Sequence, residues 1–120
     1  MEVLVDIGRI LYGGVLVILG LNNYLKLEKK IHLAETKGIP FPKASVIIST
    51  AIITLGGFLI MINFWIGFGV LCVWVFLIPA TIKVHNFWTL EAGVNREIDM
   101  LNFIKNIALL GASLAMLAPS

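Results

Sequence analysis

The chain has 120 residues, of which 59% are hydrophobic and 13% are charged, and its formal net charge is +2. Ordinary soluble domains carry roughly 25% charged residues, so this composition excludes a soluble domain. The small net charge excludes a general attraction to nucleic acid. The length allows a single domain over residues 1–120. Cys72 is the only cysteine, which excludes an internal disulfide and a Cys-x-x-Cys dithiol.

The first apolar segment runs approximately over residues 3–24 and is long enough to cross a bilayer as a helix. Acidic residues stand where a secretory signal carries basic ones, so we expect this segment to remain in the mature protein. Asp6 and Arg9 are three residues apart on one helical face, which predicts a structural ion pair. A proton or substrate path is the alternative role for them. Gly13 and Gly20 continue this face, and small residues favour close helix packing, so the face is predicted to turn inward.

Residues 25–43 form a connection that carries five lysines. Apolar residues repeat at helical spacing as far as Ala34, so the first half is expected either to extend the first helix or to lie on the membrane surface. Residues 38–42 contain Pro40 and Pro42 and are predicted to end any helix, because proline and the residue before it resist the helical conformation.

No charged residue occurs from Ala44 to Ile82, a run of 39 residues. As one helix this run would be roughly 58 Å long, about twice the ~30 Å hydrocarbon core of a bilayer. It must therefore fold back, and residues 63–65 are the expected turn. Two helices are predicted, at approximately 44–62 and 66–84. Pro79 lies within the second of them, where a membrane helix tolerates it if neighbours satisfy the freed carbonyl.

Residues 85–97 form a second polar connection, and the last helix is predicted at approximately 98–118. The predicted fold class is therefore all-α, an integral membrane four-helix bundle whose main partner is the lipid bilayer. Lysine and arginine concentrate in the two long connections, whereas the 63–65 turn has none. By the positive-inside rule both connections are expected in the cytoplasm, with the N- and C-termini outside the cell membrane.

Polar side chains concentrate at the end of the bundle where the two long connections are expected to meet the membrane. Buried polar groups in a membrane are costly unless paired, so this cluster is a candidate ligand-binding site. The alternative is a structural cluster that caps helix ends and hydrogen-bonds across the bundle. No catalytic residue is identified, although a histidine in this cluster is able to exchange a proton near neutral pH. The candidate residues are Asn23, Lys83, His85, Asn86, Trp88, Asn102 and Asn106.

Haem and metal sites are disfavoured. A bis-histidine haem would need His32 and His85, but His32 lies in a lysine-rich amphipathic stretch that is typical of a solvated face. Two histidines and one cysteine lack the spacing of a metal site, so no metal is predicted. No motif for another cofactor is evident.

Several short pieces of the sequence, taken in order, resemble the DoxX family of small four-helix membrane proteins. Their order and spacing are more specific than any one piece. The resemblance extends over nearly the whole chain and implies the same four-helix membrane fold. The pieces are Arg9 with Gly13 and Gly20, residues 37–42, residues 55–57, residues 79–88 and residues 102–112.

The same resemblance implies a link to redox or oxidative-stress functions, because the family is named for a subunit associated with thiosulfate:quinone oxidoreductase. Many relatives carry a lysine or histidine where this chain has Asn23, and a glutamate where it has Ile53 and Thr54. The loss of these ionisable groups argues against proton-coupled chemistry.

The leading interpretation is a small DoxX-like subunit, or ligand-binding component, of a membrane redox system. Its polar cluster would hydrogen-bond a carbonyl of a quinone-like ligand, the only cofactor considered, while Trp88 stacks on it, or would bind a partner subunit. The alternative is a non-enzymatic scaffold or assembly protein that binds other membrane helices. Other membrane subunits or a second copy are the further partners expected, and enzymatic activity is left open. A small transporter is disfavoured, since four short helices leave little room for a pathway.

Overall fold

The computed structural model describes residues 2–118. These residues form helices and turns and contain no strand. Four helical stretches are long and apolar enough to cross a membrane: Val3–Leu25, Pro42–Met61, Ile66–Thr89 and Val94–Ala115. The predicted all-α membrane fold with four spanning helices is therefore confirmed. The helices are α1 (Glu2–Leu25), α2 (Leu27–Thr36), α3 (Pro42–Met61), α4 (Ile66–Pro79) and α5 (Val94–Ala115), with a π-helical turn (Ala80–Val84) directly after α4 and a 3-10 turn (Phe87–Thr89) before α5.

The helix α2 follows α1 after a single residue, Lys26, whose backbone departs from helical geometry (φ −109°, ψ 35°). Both predicted alternatives for the first half of the connection are helical, and the structure has a helix there. The N–H of Lys26 still donates to the Asn22 carbonyl (3.0 Å) in helical fashion. The end of α2 is a Schellman motif, in which Gly38 adopts φ +73° and its N–H donates to the Glu35 carbonyl (3.0 Å). This turn reverses the chain, and α3 begins soon after it.

Two helices begin earlier than the sequence pattern predicts. The helix α3 begins at Pro42. Proline is tolerated in the first turn because the N–H that it lacks would have no partner within the helix. The helix α5 begins at Val94, directly after Gly93. The uncharged run reverses over residues 62–65, between the end of α3 and the start of α4.

The helix α3 packs closely against α1 on one side and against α4 on the other, through adjacent glycines. A Cβ atom on Gly57 would lie 2.7 Å from the Cβ of Leu16 and 2.8 Å from the carbonyl oxygen of Gly13. A Cβ atom on Gly56 would lie 2.7 Å from the Cβ of Cys72. Since real Cβ atoms do not approach so closely, only glycine allows these helix backbones to meet, as in other membrane helix pairs.

Polar side chains help to join the helix α5 to the other helices. The Tyr12 hydroxyl on α1 donates to the Leu109 carbonyl (2.6 Å), and Nε1 of Trp74 on α4 donates to Oγ of Ser113 (2.8 Å). Ser113 is fully buried, and its own hydroxyl donates to the Leu110 carbonyl (2.6 Å). Hydrogen bonds of this kind hold membrane helices together because lipid offers no alternative partners.

Candidate functional site

Both long connections lie at one end of the bundle, here called the basic end. A side-chain network joins them there and reaches the first part of α5. Nζ of Lys37 donates to Oδ1 of Asn86 (3.0 Å) and to Oδ2 of Asp99 (2.9 Å), and Oδ1 of Asp99 lies 3.3 Å from Nδ1 of His85. These four residues form the Lys37 network. The side chains of Lys37 and Asp99 are only 12% and 16% exposed, so this ion pair is largely shielded from solvent.

Local backbone geometry brings the network together. Lys37 is the C-cap residue of α2 and stands immediately before the left-handed Gly38. The π-helical turn ends where the N–H of His85 donates to the Ala80 carbonyl (3.1 Å), and this places His85 and Asn86 beside Lys37. Such π-turns are frequent at functional sites, because the wider turn redirects the side chains that follow it.

A cavity of about 740 Å³ adjoins the Lys37 network. Its walls are mainly apolar. Three helices contribute to it, each with residues at the i, i+3, i+4, i+7 spacing of one helical face. These faces are residues 30, 33, 34 and 37 of the α2 segment, residues 45, 48, 49 and 52 of α3, and residues 76, 79, 80 and 83 of the α4 segment. Asn23 at the end of α1 and residues 38–41 of the loop complete the lining.

Two polar groups in the cavity wall have no side-chain partner among residues 2–118. Thr50 is 7% exposed, and its hydroxyl makes no hydrogen bond to the described part of the chain. Lys30 is half-buried, and none of the ion pairs formed by the described residues includes it. Burial lowers the pKa of Lys30, and neighbouring lysine charges on α2 and α5 lower it further. Lys30 is chemically suited to bind a polar part of a ligand, whereas the Thr50 hydroxyl oxygen has no surface open to the cavity.

The structure distributes the candidate ligand-binding residues between the cavity and its surroundings. Asn23, Lys83 and His85 line the cavity, and Asn86 contacts it indirectly through its bond to Lys37. These four therefore lie close together at the basic end, around a space that the sequence pattern did not predict.

The other three candidates do not line the cavity. Trp88 is half-exposed and packs edge-on against Phe103, with ring centroids 5.6 Å apart. Oδ1 of Asn102 accepts a bond from Nζ of Lys105 (3.3 Å), one helical turn away, and Asn106 is buried deeper in α5. Trp88 therefore does not lie where it could stack on a ligand in this cavity.

Lys37, Lys30 and Thr50 were not among the candidates. A lysine in a polar connection is typical of a solvated surface, so its type alone gave no signal. A usable signal was the i, i+7 spacing of Lys30 and Lys37, which places them on one face of α2 with apolar residues between them.

Arg9 lies at the opposite end of the bundle, here called the terminal end. Its Nε and Nη2 atoms donate to the Met116 carbonyl (3.2 and 3.0 Å), and Nη2 also donates to the Ala118 carbonyl. Nη1 lies 3.9 Å from Oδ1 of Asp6, at the outer limit of an ion pair, and Asp6 is 53% exposed on its side chain. The shorter contacts of Arg9 are thus to the carbonyls at the end of α5, where the helix dipole favours a cation.

Comparison with known protein families identified a match. The family model described as DoxX matches residues 4–86, which is more than half of the chain. The matched stretch includes most of α1, all of α2 to α4, and Lys37, His85 and Asn86. Asp99 and the rest of α5 lie beyond it. No curated protein and no solved structure matches the chain.

Proposed function

Because the chain belongs to the DoxX family, we propose that it is a membrane component that binds a quinone-like ligand at the basic end. The polar head of the ligand would lie at the Lys37 network, and its apolar part would lie in the adjoining cavity. A bound quinone supplies two-electron redox chemistry, and the chain supplies the site that binds and orients it. We further propose that other subunits of a membrane redox system are its partners.

The cavity is the observation that carries this proposal. Its volume of about 740 Å³ falls within the range of roughly 300–1,000 Å³ typical of small-molecule sites. Such sites combine mainly apolar walls with a few polar groups that fix the orientation of the ligand. The same combination is present here, since the walls of the cavity are mainly apolar and Lys37 and His85 are among the polar residues that line it.

The donors at the head of the cavity suit a ligand with carbonyl groups. Lys37 has three N–H donors and uses two of them on Asn86 and Asp99, so one remains for a ligand oxygen. His85 faces Asp99 with Nδ1, which leaves Nε2 for a ligand. Asp99 and Asn86 hold the Lys37 ammonium in place, so its orientation is set before a ligand arrives.

We also propose an orientation in the membrane. Seven of the lysines and arginines in the predicted connections and their flanks lie at the basic end, namely Lys26, Lys29, Lys30, Lys37, Lys43, Lys83 and Arg96. The positive-inside rule therefore favours a cytoplasmic basic end, with the terminal end outside. A reporter fused after Ser120 tests this orientation directly. Activity of a periplasm-specific reporter supports it, and activity of a cytoplasm-specific reporter contradicts it.

The ligand proposal is tested on the full chain purified in a neutral detergent. Solvent extraction and absorbance detect a co-purifying quinone, and circular dichroism measures Tm with and without a short-chain quinone analogue. We expect the analogue to raise Tm of the wild type. Lys37→Met should lose that rise, because it removes the donor at the head of the cavity. Lys43→Met is the matched control, since Lys43 is exposed at the start of α3 and does not line the cavity.

The scaffold alternative gives a different result. It predicts that no quinone is extracted and that the analogue leaves Tm unchanged in all three proteins. An equal rise in wild type and Lys37→Met would place any quinone site elsewhere on the chain and would contradict the assignment to this cavity.

A further inference from the structure

The charges around the cavity are not balanced. Three lysines line it, Lys30, Lys37 and Lys83, whereas no carboxylate does. Asp99 neutralises Lys37 at 2.9 Å. The other two have no ion-pair partner among residues 2–118. A neutral ligand such as a quinone would leave this excess positive charge uncompensated.

Lys30 differs from Lys83 in its surroundings. Lys83 is exposed and can reach water or lipid headgroups, whereas Lys30 is half-buried. No carboxylate among residues 2–118 forms an ion pair with Lys30, so its charged form lacks a compensating anion. Burial and neighbouring lysine charges accordingly lower the pKa of Lys30. An anion in the cavity would supply that compensation.

The faces on either side of Lys30 suit an alkyl chain. Leu33 and Ala34 follow it on the same face of α2, and Ile48 and Ile52 lie on the facing side of α3. The cavity thus pairs an uncompensated cation with a continuous apolar surface.

From this arrangement we infer that the cavity binds a single-chain amphiphile with an acidic head, a long-chain fatty acid, whose carboxylate pairs with Lys30 and whose chain lies between α2, α3 and α4. A single chain is favoured over a two-chain phospholipid because the volume of about 740 Å³ matches one small-molecule ligand. This inference goes beyond the quinone proposal and concerns a second ligand of the same cavity, which would compete with the first.

The test uses the full chain in neutral detergent and measures equilibrium binding of radiolabelled oleate. Unlabelled oleyl alcohol, which has the same chain without the charge, and phosphatidylglycerol, which has two chains and a phosphate, serve as competitors. We expect unlabelled oleate to displace half of the bound label at a concentration at least tenfold lower than oleyl alcohol or phosphatidylglycerol requires. Equal displacement by oleyl alcohol overturns the role of the charge, and stronger displacement by phosphatidylglycerol overturns the single-chain ligand.

Variants locate the site. Lys30→Gln should weaken oleate binding on the order of tenfold, as expected when a charge-assisted hydrogen bond is lost. Lys43→Gln, an exposed lysine outside the cavity, should bind oleate like the wild type. Equal losses in both variants would overturn the inference.

The two proposals fail separately. Lys30→Gln should keep the circular dichroism spectrum and the Tm of the ligand-free wild type, which shows that the variant is folded. Oleate binding without any quinone response would remove the quinone proposal and leave this inference standing, whereas a quinone response without oleate binding would do the reverse.

Discussion

The two ends of the bundle each hold a largely buried cation, but they use it differently. Arg9 at the terminal end donates to the backbone carbonyls of Met116 and Ala118, and its side chain is 4% exposed. Lys37 at the basic end donates to the side chains of Asn86 and Asp99, which come from two separate segments. Backbone carbonyls belong to the helix itself, so the first arrangement closes the bundle. The second arrangement holds a charge beside an open space.

The space around the two cations supports this distinction. A cavity of about 740 Å³ adjoins Lys37, whereas the one beside Arg9 measures about 260 Å³. Arg9 binds carbonyls at the end of α5, where the helix dipole already favours a cation. Each cation keeps an unused donor, since Nη1 of Arg9 makes no hydrogen bond to the described residues and Lys37 makes two of its three possible bonds. Only Lys37 adjoins the larger cavity. We therefore expect Arg9 to stabilise the fold, and the proposed ligand site lies at the basic end.

The largest effect on stability is expected from Arg9→Met. It leaves the carbonyls of Met116 and Ala118 without their donor in a water-poor environment, and we expect a loss of about 3 kcal/mol in the free energy of unfolding. Ligand response should be unchanged in the fraction that is folded. Unfolding by a denaturing detergent, followed by circular dichroism, measures the loss.

Arg9→Lys is the control for this prediction. It keeps the charge but loses the planar fork that reaches two carbonyls at once, so its stability should lie between those of the wild type and Arg9→Met. If Arg9→Met unfolds like the wild type, Arg9 does not lock the terminal end and the contrast between the ends is lost.

A smaller loss of stability, combined with a loss of ligand response, is expected from Asp99→Asn. The change leaves the Lys37 ammonium without its carboxylate, and we expect a loss of about 2 kcal/mol in the free energy of unfolding. The quinone-induced rise in Tm should also fall, because Lys37 is no longer held in position. Glu97→Gln, an exposed acid in the first turn of α5, is the matched control and should change neither quantity. A destabilised Asp99→Asn with full ligand response would make the Lys37 network structural.

The four spanning helices were predictable because they follow from local properties. An uncharged run of 39 residues cannot cross a bilayer once, and glycine-bearing faces turn toward other helices. The Lys37 network was not predictable, since Lys37 and Asp99 are separated by 62 positions and meet only through the Schellman turn and the π-turn. The Asp6 and Arg9 spacing correctly placed these residues near each other, but the main partners of Arg9 lie more than 100 positions away.

The smallest effect is expected from removing one buried hydroxyl at the cavity. Thr50 and Thr81 are 7% and 4% exposed, and neither hydroxyl has a partner among the described residues. Valine has nearly the same shape, so Thr50→Val and Thr81→Val should each raise the free energy of unfolding by about 1 kcal/mol. Only Thr50 lines the cavity, but its hydroxyl oxygen has no surface open to it. Both variants should therefore bind oleate like the wild type. Weaker oleate binding by Thr50→Val alone would contradict this and would mean that the hydroxyl contacts the ligand.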